Sequence, residues 1–296
     1  SCKLRKKTKT MPKHKHQIII TQKIPTIIIR IAQFLQAISP KLATLFAAKL
    51  FTTPIKHKMP KRELAMDQNS SQHILHVPAI NKEIMVYEYG KSDKKVLLVH
   101  GWSGRGTQLV KIADALLEQG FMVYSFDAPA HGKSKGNFSI MPEFIASILE
   151  LEKKYGPFEF AIGHSLGGMS ILNAIKQNLA VKKAVTIGSS DVIQDIIDDF
   201  VKKLQLKSEY GLYLKQYFEN KFGGTMDDYS AHKAAQMVQI PVLVIHDLND
   251  GDVSVNGAYH IEKHLKHSEL LITEGLGHRK ILGDPSVIKT ILKFIE

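Results

Sequence analysis

One serine stands in a short, glycine-bounded motif that could make it a nucleophile. Residues 163–167 read Gly-His-Ser-Leu-Gly, with Ser165 at the centre. An apolar run at 158–162 precedes the motif and a helical pattern begins at Leu166, so Ser165 is predicted to lie on a tight turn between a strand and a helix. Glycine at both ends removes Cβ atoms that would collide where strand and helix meet. Such a turn exposes the hydroxyl where the free N–H groups of the new helix face a developing oxyanion.

A serine hydroxyl is a weak nucleophile at neutral pH, so this chemistry needs a base and a carboxylate that orients the base. Two C-terminal segments offer these groups, each directly after an apolar run. His278 follows the run at 270–272, and three aspartates follow the run at 242–245. The other histidines are weaker candidates because they lie on or beside a predicted helix (His260, His264, His267), near the N-terminus (His14, His16, His57) or inside the serine motif itself (His164).

Three motifs occur in the order seen in proteins of the α/β-hydrolase fold, which this chain resembles. They are His-Gly-Trp at 100–102, Asp-Ala-Pro-Ala-His-Gly-Lys-Ser at 127–134 and Gly-His-Ser-Leu-Gly-Gly at 163–168. The resemblance covers about residues 73–296. It implies a catalytic triad in the chain order Ser165, Asp250 and His278.

The choice of Asp250 follows from the family pattern D-x-x-V-P. Residues 250–254 read Asp-Gly-Asp-Val-Ser, which matches except for Ser254. This departure leaves Asp247 and Asp252 as alternatives. We expect Asp247 to cap a turn and Asp252 to be solvated.

The resemblance implies further site residues. The backbone N–H groups of Trp102 and Leu166 would form an oxyanion hole, each contributing about 3 kcal/mol to lowering the barrier. Gly101, Trp102 and His164 are expected to contact the substrate. The loop at 127–136 would frame the site without reacting.

The elements that must position these residues alternate between strands and helices. A hairpin is predicted at 73–89, and the buried strands and helices that follow it predict an α/β protein with one doubly wound, mostly parallel sheet. The short apolar runs that indicate the strands are 96–99, 122–126, 158–162, 184–187, 242–245 and 270–272, and the helical patterns between and after them are 107–119, 142–154, 166–178, 256–265 and 285–294.

A long interval at about 190–240 interrupts this alternation. It carries three helical patterns, at 191–204, 210–218 and 229–238. Connections of this length in a compact domain usually have a function of their own. We predict a small helical cap over the site, and an additional packing layer that does not touch substrate is the alternative.

Residues 1–62 are predicted to form a basic N-terminal tail and a helical appendage, followed by a hydrolase domain at 63–296. This segment holds 15 of the 40 Lys and Arg residues and no acidic residue, which leaves 25 basic and 28 acidic residues in the remainder. Helical patterns at 27–37 and 40–50 are apolar nearly all round, which favours packing on the body. The alternative is a peripheral contact of residues 1–62 with an anionic membrane surface.

Composition argues against several function classes. The remainder of the chain lacks clustered basic residues with interleaved aromatics, so no nucleic-acid partner is expected. No His, Asp or Glu residues have the spacing of metal ligands, and the glycines form neither a P-loop nor a dinucleotide fingerprint. The sequence therefore predicts no metal and no cofactor.

The location is predicted to be cytoplasmic, with membrane association as an addition. The basic, apolar start resembles a signal peptide, but Gln22, Lys23 and Pro25 interrupt it early, so secretion is not expected. No uninterrupted apolar stretch of about 20 residues is available for a transmembrane helix. Cys2 is the only cysteine and can form no intramolecular disulfide.

The expected function is acyl transfer to Ser165 and then to water, with a carboxylic ester or thioester of modest size as the small-molecule substrate. A serine nucleophile argues against dehalogenase and epoxide hydrolase activity, whereas peptidase, lipase and carbon–carbon hydrolase activities stay open. A non-catalytic ligand-binding or signalling protein is the alternative from another class. Arg279 and Lys280 could attract an anionic substrate, but solvated surface is the commoner role for such residues.

Overall fold

The computed structural model describes Ile18 and residues 23–296. Most of the predicted basic tail, together with Cys2, His14, His16 and Gln22, lies outside the described residues. Within the described part, no helix combines the length and the apolar character needed to cross a bilayer.

Eight strands of the described chain form one sheet in the order β1-β2-β4-β3-β5-β6-β7-β8. Strand β2 is antiparallel to β1 and β4, and β3 to β8 run parallel to one another. The predicted hairpin and mostly parallel sheet are therefore confirmed. The strands are β1 (Ser71–Val77), β2 (Lys82–Tyr89), β3 (Lys95–Val99), β4 (Met122–Asp127), β5 (Phe160–His164), β6 (Lys183–Ile187), β7 (Val242–Asp247) and β8 (Ser268–Thr273).

Helices cover both faces of this sheet, as a doubly wound fold requires. Every residue of β4, β5 and β7 is buried, which explains why these strands read as continuous apolar runs. The helices are α1 (Thr26–Ile38), α2 (Pro40–Phe51), α3 (Leu64–Asn69), α4 (Val110–Glu118), α5 (Met141–Tyr155), α6 (Leu166–Lys176), α7 (Ile193–Lys203), α8 (Tyr210–Phe222), α9 (Ala231–Ala235), α10 (Asn256–His264), α11 (Gly277–Lys280) and α12 (Pro285–Ile295).

The strand that carries the serine motif begins two residues later than its apolar run. Its ladder starts at Phe160, which pairs with Val96 on one side and Lys183 on the other. Phe158 is buried ahead of the ladder, with its ring 5.6 Å from that of Tyr124. The apolar run is therefore longer than the strand, because Phe158 packs in the core before the ladder begins.

The N-terminal helices and the insertion after β6 pack together. Ala43, Ala47 and Ala48 of α2 are buried in the same apolar core as residues of α7 and α8. The ring of Phe51 lies 5.1 Å from Phe200 of α7 and 5.6 Å from Phe218 of α8. Small residues on α2 allow this close approach, so α2 packs against the helices of the insertion.

Candidate active site

The predicted nucleophile lies on a strained turn between β5 and α6. Ser165 has φ 53° and ψ −120°, a left-handed conformation that is unusual for a residue other than glycine. Its N–H donates to Ile187 O at 2.8 Å, and its carbonyl accepts the N–H of Gly168 at 3.0 Å. These hydrogen bonds hold the turn at the carboxyl end of the sheet.

The glycines of the serine motif are required by close packing. A Cβ at Gly163 would lie 2.5 Å from the carbonyl carbon of Gly167, so strand β5 and helix α6 could not approach as closely with a larger residue. The sequence-based reason for glycine at this position matches the observed contact.

The predicted acid and base form a buried hydrogen-bonded pair. His278 Nδ1 lies 2.7 Å from Asp250 Oδ2, and the two side chains are 6% and 1% exposed. An ionised carboxylate can only accept, so Nδ1 carries the proton and Nε2 is left with a lone pair. This is the tautomer that a general base requires.

Hydrogen bonds keep Asp250 in its ionised form. Burial raises the pKa of this carboxyl, but hydrogen bonds from His246, His278 and the Val253 amide outweigh burial and hold it well below its ordinary value. Its Oδ1 accepts the backbone N–H groups of Asp252 and Val253, both at 2.9 Å. A fixed negative charge therefore faces His278 at neutral pH.

Sequence reasoning missed His246, which lies inside the apolar strand β7 with no motif around it. The residue is fully buried, and its Nε2 lies 3.1 Å from Val253 O and 3.4 Å from Asp250 Oδ2. His246 therefore contacts both the Asp250 carboxylate and the turn at 250–253, and it helps to hold them in place.

The imidazole of His278 lies against the strand next to the serine turn. Gly188 directly follows Ile187, the residue that accepts the Ser165 N–H, and a Cβ at Gly188 would lie 3.3 Å from His278 Nδ1. Among the described residues, no hydrogen bond joins the Ser165 hydroxyl to His278 Nε2. Hydrogen bonds of this kind are often long in unliganded sites and tighten when substrate binds.

His164 connects the serine turn to the segment that carries His278. Its Nε2 donates to His278 O at 2.9 Å, and its side chain is almost fully buried. Burial and the neighbouring His278 lower the pKa of His164 well below its ordinary value, so the ring is neutral. His164 is predicted to contact substrate, and in the structure its side chain is 2% exposed and bonded to the main chain of the His278 segment.

The backbone N–H groups predicted to form the oxyanion hole have no protein acceptor among the described residues. Within residues 23–296, neither Trp102 N nor Leu166 N donates a hydrogen bond to protein. Leu166 is the first residue of α6 and so lies at the positive end of the helix dipole. Gly101 is buried and Trp102 is half-buried, so of the predicted substrate contacts only Trp102 offers an accessible side chain.

The turn that carries Trp102 is held from two sides. Gly101 N–H donates to Gln108 Oε1 at 2.9 Å, and Gly101 O accepts from His100 Nδ1 at 2.7 Å. His100 Nε2 in turn accepts the N–H of Ala128 at 3.0 Å. A buried, neutral histidine thus ties the turn to the loop after β4.

Asp127 ties the same two loops together at a second point. Its carboxylate accepts the N–H of Gly106 at 2.6 Å and of Lys133 at 2.7 Å, and the hydroxyl of Tyr87 at 2.9 Å. The loop at 127–136 therefore frames the site without presenting a reactive group.

Asp247 supports the segment that carries His278. It accepts Thr273 Oγ1 at 2.7 Å and the N–H groups of Gly277 at 2.9 Å and Leu276 at 3.1 Å. This is the turn-stabilising role expected for Asp247. Arg279 and Lys280 are exposed, which favours the solvated role for both.

Residues just after α2 brace the Trp102 turn, a contact that no sequence pattern indicated. Ile55 N donates to Ser103 Oγ at 3.0 Å. Arg105 donates to His57 O at 2.5 Å, and Thr107 donates to the buried carboxylate of Glu63 at 2.8 Å. The N-terminal segment thus takes part in shaping the candidate site.

A sequence-family model for the α/β-hydrolase fold matches residues 94–225. The matched region includes the Trp102 turn and the Ser165 turn. The chain has the α/β-hydrolase fold. A search of curated proteins by sequence finds no match.

Solved structures with the α/β-hydrolase fold resemble the chain at low identity. A putative lipase from Acinetobacter baumannii has a TM-score of 0.60 at 18% identity, covering 81% of this chain and 97% of that one. An esterase from Exiguobacterium antarcticum has a TM-score of 0.59 at 17% identity, covering 76% and 99%. A bromoperoxidase from Bacillus anthracis has a TM-score of 0.58 at 18% identity, covering 76% and 99%. At such identities the likeness shows the fold, and the chemistry must be argued from the site.

Proposed function

We propose that the protein is a serine hydrolase that cleaves carboxylic esters or thioesters through an acyl-enzyme on Ser165. The observation that carries this proposal is the buried Asp250–His278 hydrogen bond of 2.7 Å at the same sheet edge as the strained Ser165 turn. Esterases and a lipase among the similar structures are consistent with this reaction class.

The first half of the reaction follows from the atoms at this edge. Ser165 Oγ attacks the acyl carbon and gives its proton to His278 Nε2. The carbonyl electrons move to the oxygen, which is stabilised by the free N–H groups of Trp102 and Leu166. The tetrahedral intermediate then expels the alcohol or thiol, which takes the proton from His278.

The second half repeats these steps with water as the nucleophile. His278 takes a proton from the water, which attacks the acyl carbon, and returns it to Ser165 Oγ as the carboxylic acid leaves. Asp250 stays ionised throughout and stabilises the imidazolium that forms in each half. Neither half requires a cofactor.

A chain-length series of chromogenic esters tests the activity. We expect hydrolysis by the full chain, and a loss on the order of 10⁴-fold or more in Ser165→Ala. Ser208→Ala changes an exposed serine and should retain full activity. Folded protein that turns over no member of the series would favour the alternative, a ligand-binding protein that keeps the scaffold without catalysis.

We further propose a peripheral contact between α1 and an anionic membrane surface. Ile27, Ile31, Phe34 and Ile38 recur at helical spacing, and their exposed fractions range from 38% to 65%. The opposite side of α1 packs on the protein through Ala32, which is fully buried. Helix α1 is part of residues 1–62, which hold 15 basic and no acidic residues. Apolar insertion and charge attraction act together in such contacts.

Vesicle co-sedimentation at low salt tests this contact. We expect binding to vesicles with anionic lipid and weaker binding by Ile31→Gln/Phe34→Gln. The matched control Ile74→Gln/Leu212→Gln removes two exposed apolar side chains outside α1 and should bind like the unaltered chain. Equal binding by both variants would refute the contact. We retain the cytoplasmic location as part of this proposal.

A further inference from the structure

A cluster of histidines surrounds one buried carboxylate outside the candidate active site. Asp191 follows β6, His232 lies in α9 and His260 lies in α10, and each offers one ligand atom within 4.8 Å of the others. Asp191 is 3% exposed. These residues are separated by 41 and 69 positions along the chain, which explains why a search for ligand spacing in the sequence predicted no metal site.

The ring nitrogens of both histidines point at the carboxylate. His232 Nδ1 lies 2.8 Å from Asp191 Oδ1, and His260 Nδ1 contacts Asp191 Oδ2. Each pair shares one proton when both imidazoles are neutral. Two imidazole nitrogens and one carboxylate oxygen form a ligand set well suited to Zn²⁺, with one coordination position left open.

We propose that Asp191, His232 and His260 bind one Zn²⁺ ion. The ion takes the place of the two shared protons, because each neutral ring changes tautomer: its proton passes through solvent from Nδ1 to Nε2, and the Nδ1 lone pair becomes the ligand. Tetrahedral zinc with bonds of about 2.0–2.1 Å separates its ligand atoms by roughly 3.3 Å, so the 2.8 Å contact opens by about half an ångström. The contact between His260 Nδ1 and Asp191 Oδ2 is shorter and opens further.

The surroundings of the cluster suit an ion site. The backbone N–H of His232 also donates to Asp191 Oδ1, at 2.6 Å, which orients the carboxylate. The side chain of His260 is 42% exposed, which gives an ion a path from solvent. The ring of His264 lies 4.4 Å from that of His260, and its Nδ1 donates to His260 O at 2.7 Å, which helps to hold this part of the cluster in place.

The ion would be structural, because its ligands come from three elements that bound the insertion. Asp191 stands where the insertion leaves β6, His232 stands near its end and His260 lies in the next helix. Asp191 is also two residues from Ser189, whose Oγ donates to Ser165 O at 3.0 Å. Zinc binding would therefore fasten the insertion beside the serine turn. This inference does not depend on the proposed hydrolase activity.

Titration calorimetry and elemental analysis of the full chain, stripped of metal with a chelator, test the site. We expect one Zn²⁺ per chain and no binding of Mg²⁺, which prefers oxygen ligands. In His232→Ala/His260→Ala the affinity for zinc should fall by more than the roughly 10- to 100-fold that loss of an outer partner costs. His267→Ala removes an exposed histidine nearby and should bind zinc like the unaltered chain.

Thermal unfolding provides a second measurement. Zinc at about 100 times its Kd should raise Tm by roughly 5 °C in the unaltered chain and in His267→Ala, and should leave the double variant unchanged. Failure of the unaltered chain to bind one Zn²⁺ would overturn the proposal whether or not the variant folds. Unchanged affinity in a folded double variant would overturn it as well, because zinc would then bind elsewhere, for example at the N-terminal histidines.

Discussion

His164 Nε2 donates a hydrogen bond of 2.9 Å to the main-chain carbonyl of His278. The residue before the proposed nucleophile thereby holds the residue proposed as the base. The two rings also lie together, with centroids 4.5 Å apart. Positions of Ser165 and His278 are therefore coupled through the backbone and not only through their own side chains.

Loss of this hydrogen bond should lower kcat while leaving the fold intact. We expect His164→Leu to reduce kcat on the order of 10- to 100-fold, because misplacement of a reacting group by about 1 Å costs up to that much. His164→Gln can still donate from its amide and should recover most of the loss. Steady-state kinetics with one ester decides this, and equal loss in both variants would show that packing, not the hydrogen bond, matters.

Asp250 should be essential for the tautomer of His278. We expect Asp250→Asn to reduce kcat about 10⁴-fold, because an amide can donate to Nδ1 and leave the proton on Nε2. Asp252→Asn tests the neighbouring aspartate and should retain kcat within a few-fold. The same ester assay distinguishes them, and a larger effect at Asp252 would reassign the acid.

Gly188 should be required for the space that the imidazole occupies. A Cβ there would lie 3.3 Å from His278 Nδ1 and 3.7 Å from Asp250 Oδ2. Gly188→Ala is thus expected to displace the ring and lower kcat by at least about tenfold. Gly120→Ala is a matched control, since Gly120 also has positive φ (79° against 62°) but no neighbour within 4 Å. Both variants should lose some stability, and only Gly188→Ala should lose activity.

Stability should fall in mild acid because His131 is buried. Burial lowers the pKa of His131 from 6.5 to about 4. Between these values the unfolded chain binds a proton that the folded chain does not, so the free energy of unfolding falls as the pH falls, by about 1.4 kcal/mol per pH unit for this group.

Replacement of this histidine should flatten that dependence. We expect chemical unfolding of His131→Phe between pH 6.5 and 4 to show a weaker dependence of the free energy of unfolding on pH. The slope should be smaller by about 1.4 kcal/mol per pH unit, the contribution of one proton. His76→Phe changes an exposed histidine and should keep the slope of the unaltered chain. A slope that is unchanged in His131→Phe would mean that His131 takes up its proton in the folded state.

The sheet could be predicted from sequence because it follows local patterns, and the candidate reactive residues were chosen from the same patterns. Ser165, Asp250 and His278 each come shortly after an apolar run, and the carboxyl ends of parallel strands meet at one edge of a sheet. Gly163 and Gly167 indicated the turn between strand and helix at Ser165, because Gly163 packs against Gly167, which is close to it in the sequence.

Other features depend on long-range placement that no local pattern encodes. Glu63 reaches Thr107 across 44 positions, and the three residues of the Asp191 cluster meet only because α9 and α10 pack together. The burial of His164 likewise depends on packing that its position in the motif does not reveal. In each case the missing information was which surfaces pack against one another.

Covalent labelling with a fluorophosphonate probe tests the central claim most directly, since it requires an activated serine but no knowledge of the substrate. We predict one adduct per chain, mapped by mass spectrometry to Ser165, absent from Ser165→Ala and formed much more slowly in His278→Ala. Well-folded protein that remains unlabelled, or labelling that persists in Ser165→Ala, would contradict the account.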